Sequence, residues 1–305
     1  MLRDDILQRV EQDGTSLVRF LYCDNGNIIR GKSVVAPQLA GFLEAGVGLT
    51  VAMQGFTPTE RLATDTSVGP VGEIRLVADP DSYVRLPYAP RQAALLCDMQ
   101  TISGEPWELC PRSALKRVLH SAESEGLDVQ VGFEHEFYLA RQTERGYEPL
   151  DASLCFGTAG MNHAAPVILD VVDALQAQGV EPVQYYPELG PGQQELSVQH
   201  TSALRAADLA ITTRETIRGV AGAHGLAASF APKPFAQQAG NGSHIHLSAW
   251  RGQQNAFYAA RDPLGLSRLA YAFIGGVLDH LPALLALTCR CCCPVWRIIK
   301  RLSRY

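Results

Sequence analysis

Hydrophobic and polar positions alternate in short runs over the first hundred residues, which is typical of strands. Two such runs, 16–23 and 28–35, flank Asp24-Asn25-Gly26-Asn27, and an Asn-Gly pair in that setting predicts a β-hairpin. The elements predicted in this region are helices at 2–12 and 37–45 and strands at 16–23, 28–35, 73–78 and 93–98. The pattern indicates a small α+β domain dominated by strands.

The pattern changes near residues 103–111, where Ser-Gly-Glu-Pro and then Cys-Pro interrupt it. Beyond this point helical periods of 3.6 alternate with strand periods of 2, and Gly225 stands where a helix C-terminus prefers glycine. The elements predicted here are helices at 111–125, 163–178, 202–224 and 264–280 and strands at 129–140, 182–188, 194–199, 226–231 and 243–249. We therefore predict domains over 1–104 and 105–288, followed by an atypical tail at 289–305.

Composition and charge exclude several classes of protein. The 305 residues are 47% hydrophobic and 19% charged, as expected of a globular protein with two domains. A formal net charge of −5 gives no reason to expect a nucleic acid or an anionic membrane as partner. No apolar run reaches the roughly 18–20 residues of a membrane span, and the acidic N-terminus is unlike a secretory signal. We expect a cytoplasmic location.

Two acidic residues lie close together on the predicted strand at 129–140. Glu134 and Glu136 share one face of this strand, while Phe133 and Phe137 lie on the other. Two carboxylates so close repel each other unless a positive group lies between them. A solvated sheet face tolerates the same arrangement, and taken alone this pair favours that simpler interpretation.

Two further segments carry polar groups on predicted strands. Gly190-Pro-Gly forces a reversal that could bring Glu188 and Glu195 toward one point, although a plain hairpin would look the same. His244, His246 and Ser248 alternate onto one face of the strand at 243–249. A lone His-x-His is more often a structural pair than a ligand pair.

The combination of these three segments changes the interpretation. Four carboxylates and two imidazoles lie on strands of one domain, a set that suits Mg²⁺ or Mn²⁺ better than a structural zinc. Divalent ions among carboxylates are typical of phosphoryl transfer from a nucleotide. The sequence has no Walker A loop, and the glycines at 240–242 are too few for a dinucleotide fingerprint.

Four motifs, by their sequences and their order along the chain, resemble those of the glutamine synthetase family. The motifs are Phe-Glu-His-Glu-Phe-Tyr at 133–138, Pro-Glu-Leu-Gly-Pro-Gly-Gln-Gln-Glu at 187–195, Phe-Ala-Pro-Lys-Pro at 230–234 and Gly-Asn-Gly-Ser-His-Ile-His-Leu-Ser at 240–248. The resemblance covers about residues 10–288. It implies an α+β fold with a β-grasp N-terminal domain and a catalytic domain built on a curved antiparallel sheet with flanking helices.

The resemblance also implies a chemistry and a set of site residues. Members transfer the γ-phosphoryl group of ATP to the side-chain carboxylate of glutamate, and ammonia or an amine then displaces phosphate. The residues that match the family motifs are Glu136, Glu188 and Glu195 for one divalent metal, Glu134 and His244 for a second, His246 and Ser248 for the nucleotide, and Asn241 and Gly242 for glutamate. It further implies Mg²⁺ or Mn²⁺, ATP as co-substrate, and a homo-oligomeric ring.

Two departures from the family pattern affect these expectations. Gln54 stands where glutamine synthetases carry an acid that helps to deprotonate ammonium, which favours relatives that use amines or polyamines. The family also continues beyond residue 305 with an arginine-rich substrate loop, a flap glutamate and a last metal ligand. The resemblance therefore implies a C-terminally truncated member whose catalytic set is incomplete.

The tail at 289–305 holds four of the eight cysteines and five basic residues. Adjacent cysteines lack the spacing of a zinc site, and a membrane anchor is a further alternative. We interpret the tail as an aberrant, out-of-frame sequence.

Two other functional classes remain open. One is a non-catalytic subunit that binds metal or nucleotide or joins a ring. The other is an amidohydrolase-like metal enzyme, suggested by His244 and His246.

Overall fold

The computed structural model describes residues 2–64 and 66–288, so the predicted tail at 289–305 lies outside the described residues. The α-helices are α1 (Arg3–Gln12), α2 (Leu39–Ala45), α3 (Pro111–Ser124), α4 (Thr158–Ala177), α5 (Ala203–Ala223), α6 (Arg268–Asp279) and α7 (Leu281–Thr288). The strands are β1 (Leu17–Cys23), β2 (Ile29–Val35), β3 (Val47–Thr50), β4 (Glu73–Ala78), β5 (Val84–Arg85), β6 (Gln92–Thr101), β7 (Asp128–Thr143), β8 (Gly146–Pro149), β9 (Pro182–Pro187), β10 (Gln193–Val198), β11 (Thr201–Ser202), β12 (Ala227–Ser229), β13 (Ser243–Arg251) and β14 (Gln254–Asn255).

The chain divides into two compact units that are not continuous in sequence. The first unit contains residues up to 121 together with 166–182 and 203–224. The second unit contains 122–165, 183–202 and the described residues from 225 onward. Each unit has its own sheet, and the combination of these sheets with helices agrees with the α+β class.

The sheet of the first unit has the strand order β2-β1-β6-β4-β3, with β5 paired to β6. The predicted hairpin is confirmed: β1 and β2 are antiparallel, and the amide of Asp24 donates to the carbonyl oxygen of Ile28 across the turn. Strict alternation on β1 buries Val18, Phe20 and Tyr22 against α1 and α2, whose core residues belong to the same cluster. The short strand β3 was not predicted.

A cluster of charges lies inside the first unit. The guanidinium of Arg112, in the first turn of α3, forms a two-pronged pair with Asp208 of α5 at 2.9 and 2.8 Å. It also donates to Asp98 at 2.8 Å and to Asp79 at 2.5 Å, and Lys116 completes the cluster by binding Asp98. These bonds satisfy charges that would otherwise be costly to bury.

The sheet of the second unit is organised around β7. Its main order is β14-β13-β7-β10-β9, and β8, β11 and β12 each pair with β7 as well. β10 and β13 both run antiparallel to β7. Phe137 and Leu139 are fully buried on one face of β7, where the ring of Phe230 packs 5.5 Å from that of Phe137. The opposite face is left for polar side chains.

The C-terminal part of the described chain differs from the predicted pattern. A single helix was expected over 264–280, but α6 begins at Arg268 because the Oγ of Ser267 accepts from the amide of Ala270 at 3.1 Å. A further helix, α7, follows directly. Within the described residues no single helix is long and apolar enough to cross a membrane; α6 and α7 reach that length and composition only as a pair bent by 70°.

Candidate metal centre

The central position of β7 brings acidic and imidazole side chains from three strands together. Glu136 lies opposite Glu195 of β10, and Glu134 lies opposite His244 of β13. Because strand partners on one face have Cβ atoms about 5 Å apart, antiparallel pairing in this register gathers the polar groups on one face of the sheet. The carboxylates that the sequence placed on one face are therefore neighbours in space.

Three of these side chains form a group with metal-binding geometry. Ligand atoms of Glu134, Glu195 and His244 all lie within 4.8 Å of one another. The Nδ1 of His244 lies 2.9 Å from Oε2 of Glu134, and a proton on Nδ1 would leave Nε2 as the ligand atom. His246 contributes Nε2 at 3.0 Å from the other oxygen of Glu134, which confirms that both imidazoles share this face. Two carboxylates and an imidazole are a suitable donor set for Mg²⁺ or Mn²⁺.

The electrostatics of Glu195 fit a site for a cation. This carboxylate is only 2% exposed, and burial raises its pKa. The hydroxyl of Tyr186 donates to it at 2.5 Å and counteracts that effect, but the negative charges of Glu136, Glu134 and Glu188 raise the pKa further. The pKa of Tyr186 is raised in turn by burial and by this carboxylate. A divalent cation would relieve the repulsion among these groups.

Glu136 is held by two N–H donors that both bind Oε2. One is the backbone amide of Gly242 at 2.9 Å and the other is Nε2 of Gln193, also at 2.9 Å. The sequence interpretation missed Gln193, although strand alternation places it on the same face as Glu195. Glu136 lies outside the three-residue group described above.

The remaining predicted residues lie around this face in different roles. Glu188 follows β9, and its Oε2 accepts from the amide of Leu189 at 2.8 Å. Asn241 uses Nδ2 to bind the carbonyl oxygens of Ser229 and Ala231, so its side chain holds a loop in place. Ser248 lies further along β13, where its Oγ accepts from Nε1 of Trp250 at 2.9 Å.

Gln54 lies in the first unit, and its side chain points into that unit. It is 6% exposed, its Oε1 accepts from the amide of Asn25 at 2.8 Å, and its Nε2 lies 3.2 Å from the sulfur of Met99. The side chain at this position therefore supports the turn between β1 and β2. An amide in this setting cannot accept a proton as a carboxylate would.

Gly242 offers a direct test of the site. A Cβ at this position would lie 2.5 Å from Oε1 of Glu136, so Gly242→Ala must displace the carboxylate or the loop. We expect about tenfold weaker Mn²⁺ binding, measured by isothermal titration calorimetry. Gly275→Ala is the control, since nothing lies within 4 Å of a Cβ there, and it should bind Mn²⁺ as the wild type does. Equal affinity for Gly242→Ala would contradict the placement of Glu136 in the site.

Comparison with known proteins decides the family. The model of the glutamine synthetase catalytic domain matches residues 108–302, and that of the glutamine synthetase N-terminal domain matches residues 3–107. The chain belongs to the glutamine synthetase family. The resemblance read from the four motifs is thereby confirmed.

Relatives within the glutamine synthetase family are similar over most of this chain. The gamma-glutamylpolyamine synthetase GlnA3 of Streptomyces coelicolor is 36% identical over 90% of this chain and 60% of its own length. The glutamine synthetase of Thermotoga maritima is 31% identical over 94% of this chain and 65% of its own length. The chain therefore spans somewhat less than two thirds of the length of these relatives.

Solved structures confirm the expected fold class. A structure described as a novel glutamine synthase homolog has a TM-score of 0.83 and 34% identity, and it matches 89% of this chain and 64% of its own. A structure described as a GmaS/ADP complex also has a TM-score of 0.83, with 30% identity over 92% of this chain and 64% of its own. The glutamine synthetase fold, with its antiparallel sheet and flanking helices, is shared.

Proposed function

We propose that this chain provides the metal centre of an ATP-dependent ligase that joins the γ-carboxylate of glutamate to ammonia or an amine. The group formed by Glu134, Glu195 and His244 carries the proposal, because its ligand atoms lie within 4.8 Å of one another on a sheet of the glutamine synthetase type. A γ-glutamyl phosphate would be the activated intermediate. Family membership supports the reaction class.

We assign the site residues as the family motifs suggest. Glu136, Glu188 and Glu195 would hold one divalent cation, and Glu134 and His244 a second. A divalent ion bound there would neutralise charge during phosphoryl transfer. The geometry supports three members of this donor set, because ligand atoms of Glu134, Glu195 and His244 already lie close together.

The other assigned residues would bind the substrates. His246, which contacts Glu134, would meet the transferred phosphate, and Ser248 would contact the nucleotide further along β13. Asn241 and Gly242 would form the edge of the glutamate pocket. The backbone amide of Gly242 already binds Glu136, so the pocket edge and the metal carboxylates would be linked.

We further propose that the nitrogen substrate is an amine. Gln54 matches the sequence position where glutamine synthetases carry an acid, and its amide contacts Asn25 and Met99. The similarity to a gamma-glutamylpolyamine synthetase also favours an amine as the acceptor.

For the assembly we expect a ring of identical subunits, as in other members of the family.

Phosphate release in the presence of ATP, Mg²⁺ and L-glutamate tests the activity. We expect release to rise on addition of an amine from a panel that includes putrescine, spermidine and methylamine, and to rise less with ammonium chloride. Omitting L-glutamate is the control for simple ATP hydrolysis. Release that is independent of both L-glutamate and amine would contradict the ligase proposal, and Mn²⁺ binding without any release would favour the non-catalytic alternative.

A further inference from the structure

Gln193 connects three segments that the family motifs treat separately. Its two N–H groups are shared among three acceptors: Oε2 of Glu136 at 2.9 Å from Nε2, the carbonyl oxygen of Gly240 at 3.0 Å and Oδ1 of Asn241 at 3.1 Å. Its Oε1 accepts from the amide of Gly190 at 2.9 Å. One side chain thus contacts β7, the loop before β13 and the turn before β10.

The orientation of this amide is fixed by its partners. Gly190 presents an N–H, so Oε1 must face it, and the amino group then faces the three acceptors. Gln193 is 1% exposed, and a buried amide that loses its hydrogen-bond partners is destabilising. Rotation of the side chain would therefore be unfavourable, and the amino group is held against Glu136.

The two oxygens of Glu136 lie in different surroundings. Within the described residues both hydrogen bonds to this carboxylate reach Oε2, one from Gln193 and one from the amide of Gly242. A Cβ added at Gly242 would lie 2.5 Å from Oε1 of Glu136 and 3.5 Å from Nε2 of His244, so Oε1 lies near the imidazole of the three-residue group. Carboxylates that ligate metals are commonly fixed by such outer hydrogen bonds.

We propose that Gln193 is a positioning residue for metal binding: it occupies Oε2 of Glu136, presents Oε1 to the cation and fixes the loop at 240–242 to the same carboxylate. This inference rests on the proposed metal-dependent function. It adds a residue that acts through Glu136 and through the loop at 240–242.

A paired substitution on the same strand tests the inference. Gln193→Met keeps the length of the side chain but removes both hydrogen-bonding groups. Gln194→Met is the matched control, because Gln194 is also fully buried, lies on the opposite face and binds the hydroxyl of Tyr185 at 2.6 Å. Both variants lose buried polar contacts, so a general loss of packing should affect both in a similar way.

Mn²⁺ affinity by calorimetry and amide hydrogen exchange over residues 239–244 are the two measurements. We expect Gln193→Met to bind Mn²⁺ about 10–100-fold more weakly and to exchange faster in this segment, while Gln194→Met retains wild-type affinity and exchange there. Should Gln193→Met fail to fold, Gln193→Asn replaces it, since the shorter amide cannot reach Gly190 and Glu136 together.

These measurements distinguish the role of Gln193 from the existence of the metal site. Wild-type affinity in the Gln193 variant, or an equal loss in the Gln194 variant, would overturn the role of Gln193 and leave the metal site standing. A wild-type chain that binds no Mn²⁺ would overturn the metal site and the inference with it.

Discussion

Replacing Arg112 with Met is expected to lower the free energy of unfolding by about 3–5 kcal/mol, which is typical when one partner of a buried ion pair is removed. Arg112 binds Asp208, Asp98 and Asp79, and its side chain is 12% exposed while that of Asp208 is 8% exposed. The variant would leave these carboxylates close together, with Lys116 still paired to Asp98. Urea denaturation at pH 7 measures the loss.

The pH dependence of this loss identifies its cause. Burial raises the pKa of Asp79, but the hydrogen bond and the charge of Arg112 outweigh burial, and the pKa lies below its ordinary value of 3.8. A lowered carboxyl pKa stabilises the folded state above the pKa of the unfolded chain, and this contribution disappears as the pH falls below about 3.8. The difference between wild type and Arg112→Met should therefore be largest near neutral pH and shrink as the pH falls below about 3.8.

Two controls separate charge from side-chain volume. Arg117→Met changes an exposed residue of the same helix and should alter stability by less than about 0.5 kcal/mol. Arg112→Lys keeps the charge but cannot form the two-pronged pair with Asp208, so it should lie between wild type and Arg112→Met. A loss of stability that is the same at pH 7 and pH 3 would contradict the electrostatic explanation.

Local patterns in the sequence were sufficient to predict the faces of the strands. Alternation around Glu134 and around His244 places each side chain on the polar face, and the contact between these two residues agrees with it. The sequences of the four motifs were sufficient to predict the family and its fold class, both of which are confirmed. The β1–β2 hairpin followed from the Asn-Gly signal in the same way.

Long-range pairing was beyond such local reasoning. The register that sets Glu195 opposite Glu136 depends on how β10 meets β7 across more than fifty residues, and alternation within either strand does not specify it. Gln193 reads as an ordinary polar residue until its neighbours in space are known. The sequence matched Gln54 to the position of an acid in glutamine synthetases, but it did not indicate that the amide is buried against Asn25 and Met99.

Neutralising Glu195 should change metal affinity and stability in opposite directions. Glu195→Gln removes a ligand charge, and because loss of an outer partner alone costs about 10–100-fold, we expect Mn²⁺ affinity to fall by more than about 100-fold. In EDTA, however, the variant should unfold at a higher temperature than the wild type. The amide ends the repulsion with Glu134, Glu136 and Glu188 and can still accept from the hydroxyl of Tyr186.

The sign of the second effect follows from the raised pKa of Glu195. A carboxyl pKa that is higher in the folded state than in the unfolded chain destabilises the fold as the pH rises from about 4.5 through the folded-state value. Glu195→Gln cannot ionise, so the metal-free variant should lack this decline between pH 4.5 and pH 7. Glu144→Gln, an exposed residue of the same unit, is the control and should match the wild type in both measurements. A variant that binds Mn²⁺ normally, or one that is less stable than the wild type in EDTA, would contradict the view of Glu195 as a buried ligand under charge repulsion.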